Sequence, residues 1–385
     1  MARVLLTLAA LLVAILAVAY PLFVKPFLGL LGVGRVIESL GNTDCIVEPE
    51  LQACEKLVLH QPTGILYLAC STPAGRSAWT PAEERFNASG RSTTDYIAAY
   101  DPSTRAITHL DHPPLPRGLS VHGMDVVPSA SDPDTLFVYV VNHRVPLDPR
   151  ERGADSAIEV FETRLGSGQA KHVATVKDAA VIVTPNDVVG HPDGRSFHFT
   201  NDHGAKTGPT RVLEMLGYAA SSVGYCHLDH GCRLVNTRMH SNNGIARARD
   251  NDTFYINHAA SAKMSVLEIQ KDQSLVVTDV VTLDRPVDNV SVDADGVVWL
   301  AGISDALCLI FKHLPNPDIP CPSSALRVSI NTGPSSFYGE KFKVEKAFDD
   351  DGSIASGVTS VVRDSERGLL FLCGPASPRL AVCKI

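Results

Sequence analysis

The sequence predicts an all-β protein, a six-bladed β-propeller behind an N-terminal hydrophobic signal or anchor helix. Three observations predict it. A strand, tight turn, strand pattern recurs six times. A polar residue interrupts the first strand in the first five of those units. One uncharged run of 20 residues opens the chain. The 385 residues are enough for a sizeable core, divided as residues 1–33, the hydrophobic segment, and 34–385, the propeller.

The opening run, "VLLTLAALLVAILAVAYPLF" (4–23), lies between Arg3 and Lys25 and is long enough to span a bilayer as a helix. It also carries "AVA" (17–19), a pattern of signal-peptidase sites. Cleaved or retained, such a segment directs the remaining chain into the secretory pathway, to be secreted or to stay membrane-anchored with the propeller lumenal or extracellular. Membrane or lipid is therefore one expected partner.

The repeated units come next along the chain. Their second halves read "PTGILYLACS" (62–71), "SDPDTLFVYVVNH" (131–143), "HPDGRSFHFTND" (191–202), "RDNDTFYINH" (249–258), "DADGVVWLAG" (293–302) and "DSERGLLFLCG" (364–374). Turn residues followed by β-branched and aromatic residues signal hairpins. Units of this size, with several strands each, are the blades of a propeller. The only competing helical stretch is "TRVLEMLGYAASSVGY" (210–225).

Polar side chains are depleted from buried strands. Yet Glu55, His122, Asn186 with Asp187, Asn243, and Asp288 with Asn289 each stand shortly before a turn. The sixth unit has no charged equivalent. Innermost strands line the central channel of a propeller, so residues at one level of successive blades converge on its axis. Glu55, Asn186, Asn243, Asp288 and Asn289 supply oxygen and no sulfur, a set that suits calcium rather than zinc. A polar plug hydrogen-bonded around trapped water would use the same residues.

The net charge of −8 and the lack of a basic run argue against nucleic acid as a partner. Nine cysteines suit an oxidising compartment. Cys226 and Cys232 are spaced for a local bridge, and Cys308 and Cys321 flank "KHLPNPDIP" as a second candidate. Cys45 and Cys383 stand at the two ends of the soluble part, where a bridge would tie the termini. Asn87 in "NAS" and Asn251 in "NDT" are glycosylation sequons, Asn87 being the better surface candidate.

The segments "ACEKLVL" (53–59), "VHGMD" (121–125), "VVNH" (140–143), "PNDVV" (185–189), "FTNDH" (199–203), "NNGI" (242–245), "VDNVSVD" (287–293) and "LAVCKI" (380–385), in this order, resemble the serum paraoxonase/arylesterase family of calcium-dependent lactonases. The resemblance implies a six-bladed propeller, a disulfide between Cys45 and Cys383, and a catalytic calcium on Glu55, Asn186, Asn243, Asp288 and Asn289. It implies a general base at His122 and a proton-relay partner at His143. The substrates it implies are small esters, lactones and aryl esters. A second, structural calcium of that family would fall on Asp187 and the carbonyl of Met124. Its remaining carboxylate position is here Lys56, so the ammonium is expected to occupy that ion's place. No G-x-S-x-G elbow is present, so no acyl-enzyme is expected. A sugar-lactone hydrolase of a related propeller family, or a catalytically silent propeller stiffened by calcium, would share the scaffold.

Overall fold

Twenty-four strands in six four-stranded antiparallel sheets account for the repeated pattern, one sheet per unit. A computed structural model describes residues 2–148, 151–215 and 217–385 of the chain. Counting outward from the axis, blade 1 contains Cys54–His60, Ile65–Cys70, Tyr96–Asp101 and Ala106–His109. Blades 2 to 5 begin with the inner strands Val121–Pro128, Pro185–Gly190, Asn242–Arg247 and Val287–Val292. Blade 6 has Ser360–Asp364 innermost and takes its outermost strand, Cys45–Glu48, from the start of the soluble chain. The inner strands contact one another in turn and close the ring.

The strands are apolar on both faces because each sheet is packed between two others. Leu57, Leu68 and Tyr100 of blade 1 meet Phe371 and Leu380 of blade 6. Tyr139 and Ile158 of blade 2 meet Phe197 and Phe199 of blade 3. Met264 and Val281 of blade 4 meet Leu300 and Leu326 of blade 5. Such face-to-face burial of sheets is the main source of stability in all-β folds.

Closure is covalent as well. Cys45 and Cys383 are directly paired across the ladder of blade 6 and form a disulfide. Cys226–Cys232 and Cys54–Cys70 are likewise cross-strand disulfides on paired residues. The expectation of a Cys308–Cys321 bridge is corrected: both thiols are free and buried. The two thiols are neighbours without being bridged, and each Sγ also faces a backbone carbonyl, that of Pro320 for Cys308 and that of Asp305 for Cys321. The stretch 210–225 is not one helix. Pro209–Met215 is helical, Ser221–His227 is a strand of blade 3, and Leu216 lies outside the described residues.

Ahead of the propeller, Ala2–Ala19, Tyr20–Val24 and Lys25–Leu30 run on as helix. Val13–Leu30 is long and apolar enough to cross a membrane, and none of it is buried. Its end is tied to blade 5. The Arg35 guanidinium donates to the carbonyls of Asp284 (2.8 Å) and Gly29 (3.1 Å), and Ala306 N donates to Leu31 O at 3.0 Å.

Candidate functional site

A single backbone device brings the polar residues together. In blades 1 to 5 the register between the inner strand and its neighbour slips at one point. The slip falls at Glu55, at His122–Gly123, at Asn186–Asp187, at Asn243–Gly244 and at Asp288–Asn289. A β-bulge leaves a residue unpaired and re-aims its side chain. The inner strand of blade 6 pairs without a slip and supplies no such residue. Two bulges contain glycine because neighbouring bulges touch. A Cβ on Gly123 would lie 2.4 Å from Asn186 O, and one on Gly244 would lie 2.6 Å from Asn289 Cα.

The oxygens of the ring differ in how they are satisfied. Glu55 is buried. Its Oε2 accepts from Thr359 Oγ at 2.9 Å and its Oε1 from Asn289 Nδ2 at 3.2 Å. Asn289 also donates to the Glu55 carbonyl at 3.1 Å, and its own Oδ1 is 3.4 Å from Lys56 Nζ. Asn186 Nδ2 donates to His122 Nε2 at 3.3 Å. By contrast, Asn243 Oδ1 and Asp288 Oδ1 are buried and have no hydrogen-bond partner among the described residues. Burial pushes the Glu55 carboxyl up to about 7. Burial, and then the charge of Glu55, holds Asp288 well above the usual carboxylate range. Two carboxylates that resist joint ionisation, beside an amide oxygen without a donor, form an environment that a hard cation would satisfy. No three His, Cys, Asp or Glu side chains among the described residues are grouped so that they could hold a metal ion by themselves, so the ring's oxygens come largely from amides.

Beneath the ring, Lys56 Nζ donates to Asp187 Oδ2, both side chains being buried. The same Oδ2 accepts from Ile245 N at 2.9 Å. The ammonium therefore stands beside the carboxylate that the resemblance assigns to a second ion. Past Lys56 the channel continues as a cavity of about 240 Å³, lined by Met124, Asp125 and Arg247 among others.

Above the ring, His122 and His143 face each other with ring centroids 5.1 Å apart. His143 comes from the second strand of blade 2, Thr135–Arg144, and its Nδ1 shares a 2.9 Å hydrogen bond with Ser156 Oγ. Burial keeps both imidazoles neutral. It holds His122 well below its usual value and brings His143 down to about 3. The neighbouring histidine and the cations Arg76 and Lys56 depress His122 further.

The segment from Thr72 to Phe86 covers this chamber, and nothing in its local sequence announces the role. Its short helix Pro73–Ala78 starts with Thr72 accepting from Gly75 N. Trp79 Nε1 then donates to the carbonyl of His143 at 2.8 Å. Arg85 reaches Ile310 O (3.3 Å) on blade 5, and Arg211 of blade 3 reaches back to Pro81 O (3.1 Å). Thr359, Ser156 and Trp79 are therefore site residues that sequence reasoning missed. Thr359 alone left a trace, as the polar residue at the matching level of the sixth unit. Asn87, just after this segment, is exposed, whereas Asn289, which stands in the tripeptide "NVS" (289–291), is buried in the ring.

Residues 96–384 match the family model described as Arylesterase. The chain is 28% identical over 226 residues to serum paraoxonase/lactonase 3 of Oryctolagus cuniculus, covering 58% of each. It is 27% identical over 256 residues to serum paraoxonase/arylesterase 2 of Rattus norvegicus, covering 66% of each. These matches span less than two thirds of the relatives' own lengths. Among solved structures it is similar to a periplasmic gluconolactonase of Pseudomonas aeruginosa, with a TM-score of 0.49 and 13% identity over 85% of this chain and 80% of that one.

Proposed function

The chain belongs to the arylesterase family, and from that premise we propose that it is a calcium-dependent hydrolase of carboxylic esters, lactones and aryl esters foremost. Glu55, Asn186, Asn243, Asp288 and Asn289 would hold the ion. When bound, calcium would supply Lewis-acid polarisation of the ester carbonyl. The observation that carries this reading is the shared bulge. Five blades each spend a backbone irregularity to aim polar groups at one point, and two of the oxygens so aimed have no protein donor.

The chain's own residues account for the proton and for the dry chamber. His122 is neutral and buried above the ring, with Nε2 as a hydrogen-bond acceptor. It can take a proton from a water attacking the carbonyl. His143, seated against it and anchored by Ser156 and Trp79, orients that imidazole and is the relay for the proton. The cover from Thr72 to Phe86 excludes bulk water, which strengthens every electrostatic interaction beneath it. Lys56, paired with Asp187, takes the place of a second ion, so one calcium per chain is expected. The three disulfides and the apolar N-terminal helix suit a protein of the secretory pathway, with the Asn87 sequon available for glycosylation.

Hydrolysis of a panel of lactones and aryl esters, with and without a calcium chelator, tests the proposal. Asn243→Ala and Asp288→Ala should lose most activity. His122→Gln should lower turnover by roughly 10²–10⁴-fold while calcium stays bound. Undiminished hydrolysis by Asp288→Ala in excess chelator would rule the metal out of the reaction.

A further inference from the structure

Arg76 is the unexplained charge of this site. It lies on the short helix of the cover, and only 2% of it is exposed. Its Nε and Nη2 have no hydrogen-bond partner among the described residues. A buried guanidinium without an anion is strongly disfavoured, so its presence calls for a partner. Hydrogen bonds or an ion pair already engage Glu55, Asp187 and Asp95, and Asp288 belongs to the ring. Both oxygens of Glu55 accept hydrogen bonds, from Thr359 and Asn289. Asp187 is paired with Lys56. Asp95 accepts from Ser71 Oγ and Val121 N. Glu83, on the cover itself, is opposed by Arg211 and Arg85. Yet Arg76 is close enough to the ring and the histidine pair for its charge to act on Glu55, His122 and His143, and Trp79, three residues on, is bonded to the His143 carbonyl.

We propose that Arg76 receives a carboxylate of the substrate, so that the esters and lactones this channel takes carry a free carboxylate beside the reacting carbonyl. The inference rests on the hydrolase reading above and narrows its substrate class. Nε and Nη2 form one edge of the guanidinium, with N–H bonds that run parallel at the spacing of a carboxylate's two oxygens. The charges point the same way. Glu55 and Asp288 match the two charges of a calcium ion, and Asp187 matches Lys56. Arg76 is left as a buried cation with no anion bonded to it, beside the ring and the histidine pair. A neutral ester leaves it unpaired; an anionic one pairs with it and is drawn into the chamber.

The test uses the full chain in detergent, loaded with calcium, and two substrates that differ only in charge: γ-butyrolactone and the same ring bearing a carboxylate. Wild type should prefer the carboxylated ring in kcat/KM. Arg76→Gln should reduce that preference by about 10–100-fold, the size of a charge-assisted paired contact, and chiefly through KM. Arg76→Lys keeps the cation without the fork and should fall between. Calorimetry with glutarate gives a readout that needs no turnover: wild type should bind it, and Arg76→Gln should bind it at least about tenfold more weakly. A wild type that favours the neutral ring, or a preference and a glutarate affinity that Arg76→Gln leaves intact, overturns the proposal. If neither lactone is hydrolysed, the hydrolase reading fails, and the glutarate measurement still decides the role of Arg76.

Discussion

Replacing Lys56 by Met should cost this propeller about 3–5 kcal/mol, the range for removing one partner of a buried ion pair. Methionine is close to lysine in length and fills the same space, so the loss is electrostatic. Asp187, with no exposed surface, would keep one hydrogen bond, from Ile245 N, while its Oδ1 has no partner even in wild type. Its escape is to take up a proton. For a carboxyl of ordinary pKa near 3.9, that costs about 4 kcal/mol at pH 7, so the two routes agree. Lys56→Met/Asp187→Asn should recover most of the loss, because an uncharged amide needs no counter-charge. Urea unfolding followed by the fluorescence of Trp79 and Trp299 would measure the cycle. Lys56→Asp is the sharper variant. It sets two carboxylates side by side, which only a cation can reconcile, and native mass spectrometry should then find one calcium more than in wild type. A penalty below about 1 kcal/mol for Lys56→Met, or a wild type already holding an ion on Asp187, would refute the reasoning.

Two further outcomes come from the scaffold. Replacing Cys45 and Cys383 by Ser opens a loop closed over a separation of 338 residues, and the unfolded chain then regains entropy worth on the order of 5 kcal/mol; an unchanged denaturation midpoint would show that the ladder of blade 6 closes the ring without the bridge. The second concerns acid. Burial lowers His191 to about 4 and His198 to about 3, and the two rings share a 3.0 Å hydrogen bond in blade 3. The unfolded chain protonates them near 6.5, so it binds more protons than the native state below that pH. Stability should fall as pH drops from about 6.5 towards 4, by about 2 kcal/mol per histidine at pH 5. His198→Gln should flatten that slope in midpoints measured at pH 7 and pH 5, and an equally steep slope would place the acid sensitivity elsewhere.

The features legible in the sequence and those hidden from it divide by the range of the interaction. Asp288 and Asn289 were conspicuous because two successive polar residues break the period of an apolar strand, and the same break recurs in four other blades. The break is the bulge: the residue that leaves the ladder is freed from apolar neighbours and can be polar. The six hairpins were legible for a related reason, since turn and strand preferences are both local. The cover was not. Arg85 and its acceptor Ile310 are 225 residues apart, and Trp79 and His143 are 64 apart. Neither end of either bond departs from what a loop or strand ordinarily contains. Cys54–Cys70 shows the intermediate case. Its pairing follows from the register of the first hairpin, which the turn at residues 61–64 sets, but nine cysteines allow many pairings and only the register selects this one. That bridge clamps blade 1 one residue ahead of the bulge that presents Glu55. A ring built from one bulge per blade has no continuous backbone holding its members together. Its geometry is therefore only as firm as the closure of the propeller and the clamps beside each bulge, and the disulfides and the Lys56–Asp187 pair act at those points.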